Sequence, residues 1–190
     1  MNKKTSPCDT FVSTLDSSLI AIRKKSDFEL SERERSRLLS FPRYFEDRIF
    51  HKQIPSFRFF ATYKGEIIGQ VSLVYRAISI NKQYLTILGV EDLCVLEKYR
   101  RQGVASLLMQ EVERIAHHYR IDHILLFSDE KYFYAKLGYK EVDANCRWLA
   151  IEDSASLLIM EKNVKDILMI KSQTHFPFEG QTIDLLGHLF

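Results

Sequence analysis

The 190-residue sequence predicts an α+β domain of mixed α/β character. Three stretches carry that expectation. Phe57–Tyr63, Lys64-Gly65 and Glu66–Ile80 read as an aromatic strand, a tight turn and an alternating second strand, which together make a hairpin. Leu93–Leu96 is an apolar strand that hands over, through Arg100-Arg101-Gln102-Gly103, to a helix. In that helix Val104, Leu107, Leu108, Val112, Ile115 and Tyr119 recur at helical spacing. His123–Phe127 is short and continuously apolar, as suits a buried strand lying parallel to the earlier one.

The other elements follow in order. Met1–Thr10 is polar and reads as a flexible terminus, leaving residues 11–190 as one domain. Phe11–Lys25 contains Leu15, Leu19, Ile20 and Ile22, and periodicity leaves strand and short helix both open. Ser31-Glu32-Arg33-Glu34 is a capping box, so a helix starts there, with Leu38, Leu39 and Phe41 on its apolar side. Pro42 ends it or opens a further helix over Arg43–Lys52. Asn81-Lys82 marks a turn before a strand over Tyr84–Leu96. Lys131–Leu137 is a short helix ended by Gly138, and Tyr139–Val142, Arg147–Ile151 and Asp166–Ser172 read as strands.

Composition excludes several classes of function. Hydrophobic residues make up 46% and charged ones 27%, which is globular composition. A formal charge of +2, from 27 basic and 25 acidic side chains, is too balanced to argue for nucleic acid, which would want a basic face. Cys8, Cys94 and Cys146 are odd in number, widely spaced and not paired as ligands, which points to a reduced, cytoplasmic protein. His117 and His118 fall in the last turn of a helix, where cations suit the dipole, so no metal site is expected with His123. No apolar run approaches membrane-spanning length, and no membrane partner is expected.

The chemistry sits in Val90–Ala105. A strand that passes to a helix through Arg, Gln, Gly and a small residue turns several backbone N–H groups outward at the positive end of a helix dipole. That is a seat for a phosphate or pyrophosphate. A dinucleotide-binding reading is disfavoured, since G-x-G-x-x-G and its acidic partner about twenty residues on are both missing.

Tyr63-Lys64-Gly65-Glu66-Ile67-Ile68-Gly69, Leu93–Ala105, Leu125-Leu126-Phe127 and Phe133-Tyr134-Ala135-Lys136-Leu137-Gly138-Tyr139 stand in an order that resembles the GNAT superfamily of acyl-CoA-dependent N-acetyltransferases. The family's pyrophosphate motif falls on Arg100, Gly103 and Ala105, and the second signature on Tyr134–Tyr139. The resemblance runs from Tyr63 to Val142. Val90-Glu91-Asp92-Leu93-Cys94-Val95 is further similar to a strand of the aminoglycoside 2′-N-acetyltransferases. Gly180–Gly187 is distantly similar to the ends of those enzymes and of nodulation N-acyltransferases. The tryptophans those enzymes carry near the end are absent, the single one here being Trp148.

The resemblance implies a mixed, mostly antiparallel sheet with helices on both faces and one parallel strand pair splayed to seat acyl-CoA. It implies acetyl-CoA as acyl donor, no metal, and a small-molecule or peptide amine as acceptor, by direct transfer in a ternary complex. The backbone of Gly103, Val104, Ala105 and Ser106 would hold the pyrophosphate, with Arg100, Arg101 and Gln102 beside it. The pantetheine arm would lie along the strand ending at Val95, with the Leu93 N–H facing the thioester oxygen. Tyr134 is the expected acid, though a core tyrosine reads the same way. Glu91 and Asp92 are the candidate bases. Glu91 is favoured, because strand alternation gives it the parity of Leu93 and Val95 unless a bulge intervenes. Tyr44, Phe45, Phe57 and Phe59 are acceptor-pocket or core residues. A sensor or scaffold that binds acyl-CoA without turnover is the alternative. Acceptor, acyl length and oligomeric state, a homodimer included, stay open.

Overall fold

Strand β3 (Glu66–Ile80) is the spine of the fold, because it is long enough to serve three partners. Strand β4 (Gln83–Val95) runs antiparallel along one edge, from Gly69↔Val95 to Ile80↔Gln83. The other edge is shared by β2 (Phe57–Tyr63) near its start and β10 (Thr182–His188) at its end. Strand β1 (Ile20–Lys25) flanks β2. Beyond β4 lie β5 (His123–Phe127), β9 (Leu168–Ser172) and the two-residue β6 (Lys140–Glu141). Beyond β10 lie β7 (Asn145–Glu152) and β8 (Ala155–Asn163). This computed structural model describes residues 15–41, 49–50, 52–152, 155–174, 177–178 and 180–190. The terminus expected to be flexible, Met1–Thr10, lies outside them, as do Tyr44, Phe45 and most of the helix expected over Arg43–Lys52.

Local chemistry explains the joints. Both hairpin turns, Lys64-Gly65 (φ 49° and 80°) and Asn81-Lys82 (φ 51° and 64°), hold two successive left-handed residues, the geometry that suits the strands' twist. Helix α1 (Glu32–Leu39) opens on the expected capping box. The Ser31 N–H donates to Glu34 Oε2 at 2.9 Å, and the Glu34 N–H donates back to Ser31 Oγ at 3.3 Å.

The sheet carries helices on both faces. Leu38 of α1 packs with Phe60 and Ile67 on one side. On the other, helix α2 (Val104–His118) and Tyr134 of the short helix α3 (Lys131–Lys136) pack with Phe59, Val71, Leu73 and Val90. Gly69 permits that approach, since a Cβ there would lie 3.1 Å from Val104 Cγ1 and 3.2 Å from the Cys94 carbonyl oxygen.

The pairing is mostly antiparallel, with β4–β5 the expected parallel pair and β10–β7 a second one not expected from the sequence. Strands β8 and β10 are likewise not expected from the sequence: β8 is apolar on both faces, and β10 alternates only over Thr182–Leu185. The strand expected over Tyr139–Val142 narrows to Lys140–Glu141. Tyr139 turns into the core behind Gly138, while the Val142 N–H still follows the β6–β9 register by donating to the Leu168 carbonyl at 3.1 Å.

One polar knot crosses the α1 face. Arg58 is fully buried. Its Nε donates to Asp27 Oδ1 at 2.7 Å and its Nη2 to Asp27 Oδ2 at 3.2 Å, while Nη1 reaches Ser72 Oγ at 2.5 Å and Gln70 Oε1 at 3.2 Å. A guanidinium without solvent requires such a partner. Asp27→Ala should therefore lower the urea-derived unfolding free energy by about 3–5 kcal/mol, the usual cost of stranding a buried charge. A loss below about 1 kcal/mol, typical of exposed pairs, would mean that Asp27 does not hold Arg58.

Candidate functional site

The site lies where β4 parts from β5. Their parallel ladder runs from Ile87↔His123 to Val90↔Leu126 and stops. The cause lies in β4 itself. Ser72 pairs with Glu91 and Gln70 with Cys94, so Asp92 and Leu93 both stand opposite Val71. Asp92 takes φ 47°, a left-handed conformation that an aspartate tolerates better than most residues. This is a β-bulge, which bends the strand and re-aims its side chains.

The bulge corrects the parity expected for Glu91. Leu93 and Val95 pack toward α2, whereas Glu91 and Cys94 share the opposite, α1-side face with Arg58, Gln70 and Ser72. Asp92, expected to face away from Glu91, also turns to this side: Ser72 Oγ donates to its Oδ2 at 3.4 Å. The two carboxylates are thus brought together, with Glu91 buried and Asp92 exposed. Burial first, then the neighbouring Asp92 charge, pushes the Glu91 carboxyl up to about 7, against the pull of Arg76, Arg58 and Lys52. Among the described residues, Glu91 Oε2 and Gln70 Nε2 are buried without a hydrogen-bond partner.

Sequence reasoning missed the cations and the aromatic around this pair. Arg76 is half-buried, with its Nη2 on the His188 carbonyl at 2.6 Å and its guanidinium 4.7 Å from the Phe190 ring centroid. Phe190 in turn covers Gly89, where a Cβ would lie 2.8 Å from the ring, and meets Phe127 at 5.5 Å between centroids. A signal existed: Arg58 and Arg76 are lone charges inside otherwise apolar strands. Phe59 is core and Phe57 packs against that core.

The turn before α2 has the expected form. Arg101 (φ 57°) and Gly103 (φ 82°) are both left-handed, and Gly103 caps the helix without a side-chain bond. The N–H groups of Gly103, Val104, Ala105 and Ser106 open the helix and have no acceptor within it. The neighbouring side chains are partly committed to the protein. Arg100 Nε donates to the Val95 carbonyl at 3.1 Å, while Gln102 accepts from the Leu15 N–H at 2.9 Å and donates to the Lys98 carbonyl at 3.0 Å. Arg101 is exposed.

Tyr134 lies on the other face from Glu91, buried with Val95, Val104 and Leu108 and edge-on to Phe133 and Tyr139. Burial first, then the Glu130 charge, pushes its phenol up to about 12, so it stays protonated. A cleft of about 600 Å³ between α1 and the β1–β2–β3 edge, lined by Arg23, Lys25, Arg33 and Arg37 among others, shares no residue with this site. Among the described residues no cluster of His, Cys, Asp and Glu is placed to hold a metal ion, and no helix is long and apolar enough to cross a membrane.

A mixed sheet whose parallel pair parts beside a Gly-capped helix is the GNAT architecture. Residues 55–141 match the model of the acetyltransferase (GNAT) domain family. It is 25% identical over 85 residues to an uncharacterized N-acetyltransferase of Chlorobaculum tepidum, covering 45% of this chain and 50% of the relative. The chain therefore spans about half the length of that curated relative. Two solved structures share the fold. A GNAT family N-acetyltransferase (YhbS) of Escherichia coli in complex with CoA is 20% identical at TM-score 0.51, over 68% of this chain and 67% of its own. A GNAT family acetyltransferase of Elizabethkingia anophelis with acetyl-CoA bound is 17% identical at TM-score 0.54, over 81% of this chain and 98% of its own.

The raised Glu91 pKa has a consequence for stability. The folded state holds this proton more tightly than the unfolded chain, so stability present below the ordinary value of 4.5 is lost as pH rises through about 7. Glu91→Gln, neutral throughout, should match wild type near pH 4 and exceed it above pH 7 by a margin of order 1–3 kcal/mol. Parallel urea curves at both pH values would place Glu91 in contact with solvent.

Proposed function

We propose that the protein is an N-acetyltransferase, moving an acetyl group from acetyl-CoA to a primary amine of a small molecule or peptide by direct transfer in a ternary complex. The observation that carries this reading is the division of labour across the parted strands. A protonated phenol sits on the α2 face, and a carboxylate pair sits on the α1 face beyond the bulge.

The roles follow from physical chemistry. Donor pyrophosphate would rest on the N–H groups of Gly103–Ser106, with Arg100 and Arg101 adding charge-assisted contacts. The pantetheine arm would pair with β4 at Leu93–Val95, where β5 no longer does, and the Leu93 N–H would face the thioester oxygen. The amine would arrive from the Glu91 and Asp92 side. Alkyl ammonium groups have a pKa near about 10, so they lose a proton only to a base. A carboxylate raised to about 7 is a far better acceptor than an ordinary one, and water would complete the reach. Tyr134 would give its proton to the departing thiolate. The burial that raises the phenol would raise that thiolate's proton affinity too, so the transfer stays feasible. A sensor that never turns over would gain nothing from an orphaned, buried Glu91, which costs stability.

Thiol release from acetyl-CoA against a panel of aminoglycosides, polyamines, amino acids and peptides tests the activity. With a reactive acceptor, Tyr134→Phe should keep donor affinity within a few-fold and lower kcat by about 10²-fold or more. Normal kcat would remove Tyr134 as the acid. Gly103→Val tests the phosphate seat without crowding it, because a Cβ there meets nothing within 4 Å and the burden falls on the φ of 82°. Its CoA affinity should drop about tenfold or more, from roughly 1–2 kcal/mol of backbone strain plus the loss of aligned N–H groups. Unchanged affinity in a folded variant would put the pyrophosphate elsewhere.

A further inference from the structure

The α1-side face of the sheet carries a belt of charge between two apolar clusters. Leu38, Phe60 and Ile67 belong to one cluster, and Ile78, Ile80 and Ile87 to the other, against which Phe190 packs. Between them the pairs Ser72↔Glu91, Val74↔Gly89 and Arg76↔Ile87 succeed one another on this face. Arg76 therefore leaves β3 about 13 Å along the strand from Ser72, the partner of Glu91, with the Phe190 ring over Gly89 in between. Arg76 and Lys52 are both half-buried, and Glu91 is the charge that each of them senses.

The charged groups of this belt do not neutralise one another. Lys52, Arg76, Glu91 and Asp92 form no ion pair among the described residues. Arg76 is held in place with donors to spare. Its Nη2 is on the His188 carbonyl and its face is against Phe190, while Gly187 makes room for Nη1, from which a Cβ there would lie 3.0 Å. Neither Nη1 nor Nε has an acceptor among the described residues. The buried Gln70 Nε2 and Glu91 Oε2 are idle in the same belt. Native proteins leave few buried polar groups idle, so spare donors beside spare carboxylate oxygens ask for a ligand that carries both charges.

Granted the acetyl transfer proposed above, we propose that the acceptor is a primary amine that also carries a carboxylate, an amino acid or a short peptide. Its ammonium lies against Glu91 and Asp92, and its carboxylate accepts from Arg76 Nη1 and the Lys52 ammonium. Charge decides between this acceptor and a plain amine. An alkylamine or polyamine would add positive charge beside Arg76 and Lys52 and leave both uncompensated, whereas a zwitterion sets each charge against its opposite. The carboxylate also keeps its hold during the reaction. Once the ammonium gives up its proton it loses its attraction to Glu91 and Asp92, and the contact with Arg76 and Lys52 remains to position the neutral amine.

Calorimetric titration into the whole chain saturated with CoA separates binding from turnover. The titrants are free amino acids and dipeptides, each beside its C-terminal amide, with a polyamine for comparison. At least one free carboxylate form should bind about tenfold or more tighter than its amide. Arg76→Gln and, independently, Lys52→Gln should narrow that gap to about twofold by weakening the carboxylate form and not the amide, and Arg76→Lys should restore part of it. Lys52 stands on a different segment, so it carries the test if Arg76→Gln does not fold. Thiol release from acetyl-CoA should follow the same order, with the variants raising KM and leaving kcat near wild type. Carboxylate forms that bind in this way without thiol release would leave the anchor standing and remove the acetyltransferase reading. Amides or the polyamine binding as tightly as the carboxylate forms, no binding by any of them, or variants that weaken carboxylate and amide alike would each overturn the proposed acceptor, whichever amine is then acetylated.

Discussion

The bulge at Asp92 is the constraint on which the site depends. One extra residue in β4 between Glu91 and Cys94 ends the ladder to β5 after Val90 and leaves the edge beyond it without a strand. The same extra residue sends Leu93 and Val95 to one face and gathers Glu91 and Asp92 on the other. A regular strand would have closed the gap and put the carboxylates on opposite sides of the sheet. The opening and the carboxylate pair therefore come from one local distortion, held by the long pairing of β3 beneath it.

That distortion needs support, and the support is polar. Arg58, with no solvent contact, is fixed by Asp27 and passes its order to Gln70 and Ser72, and Ser72 to Asp92. Arg76 approaches from the other side, held by the His188 carbonyl and by Phe190. These cations restrain but do not cancel the burial that raises Glu91, so its carboxyl titrates near neutrality. A base in that range can be ionised and still take a proton from an amine. The proposed acid follows the same logic in reverse, since apolar burial keeps the Tyr134 phenol protonated.

How much of this was legible in the sequence depended on how local the physics was. The hairpin turns, the Ser31 capping box and the α2 stripe are short-range patterns, and each element stands where its residues place it. Gly103 could be read because a left-handed cap before a helix has few other solutions. The bulge could not be read, because alternation in Val90–Val95 is compatible with a straight strand and only pairing against Val71 reveals the extra residue. Arg58 and Arg76 were visible as lone charges in apolar strands, but their partners lie 31 residues away in Asp27 and 112 away in His188. Strand β8 escaped notice because it is apolar on both faces, so it has no period of two.

The most direct test is a backbone-amide NMR titration with acetyl-CoA. The amides of Gly103, Val104, Ala105 and Ser106 should move together with those of Leu93, Cys94 and Val95, since one ligand would bridge the helix start and the parted strand. Shifts confined to the basic cleft around Arg23 and Arg33, with these two groups unmoved, would contradict the assignment of the donor site.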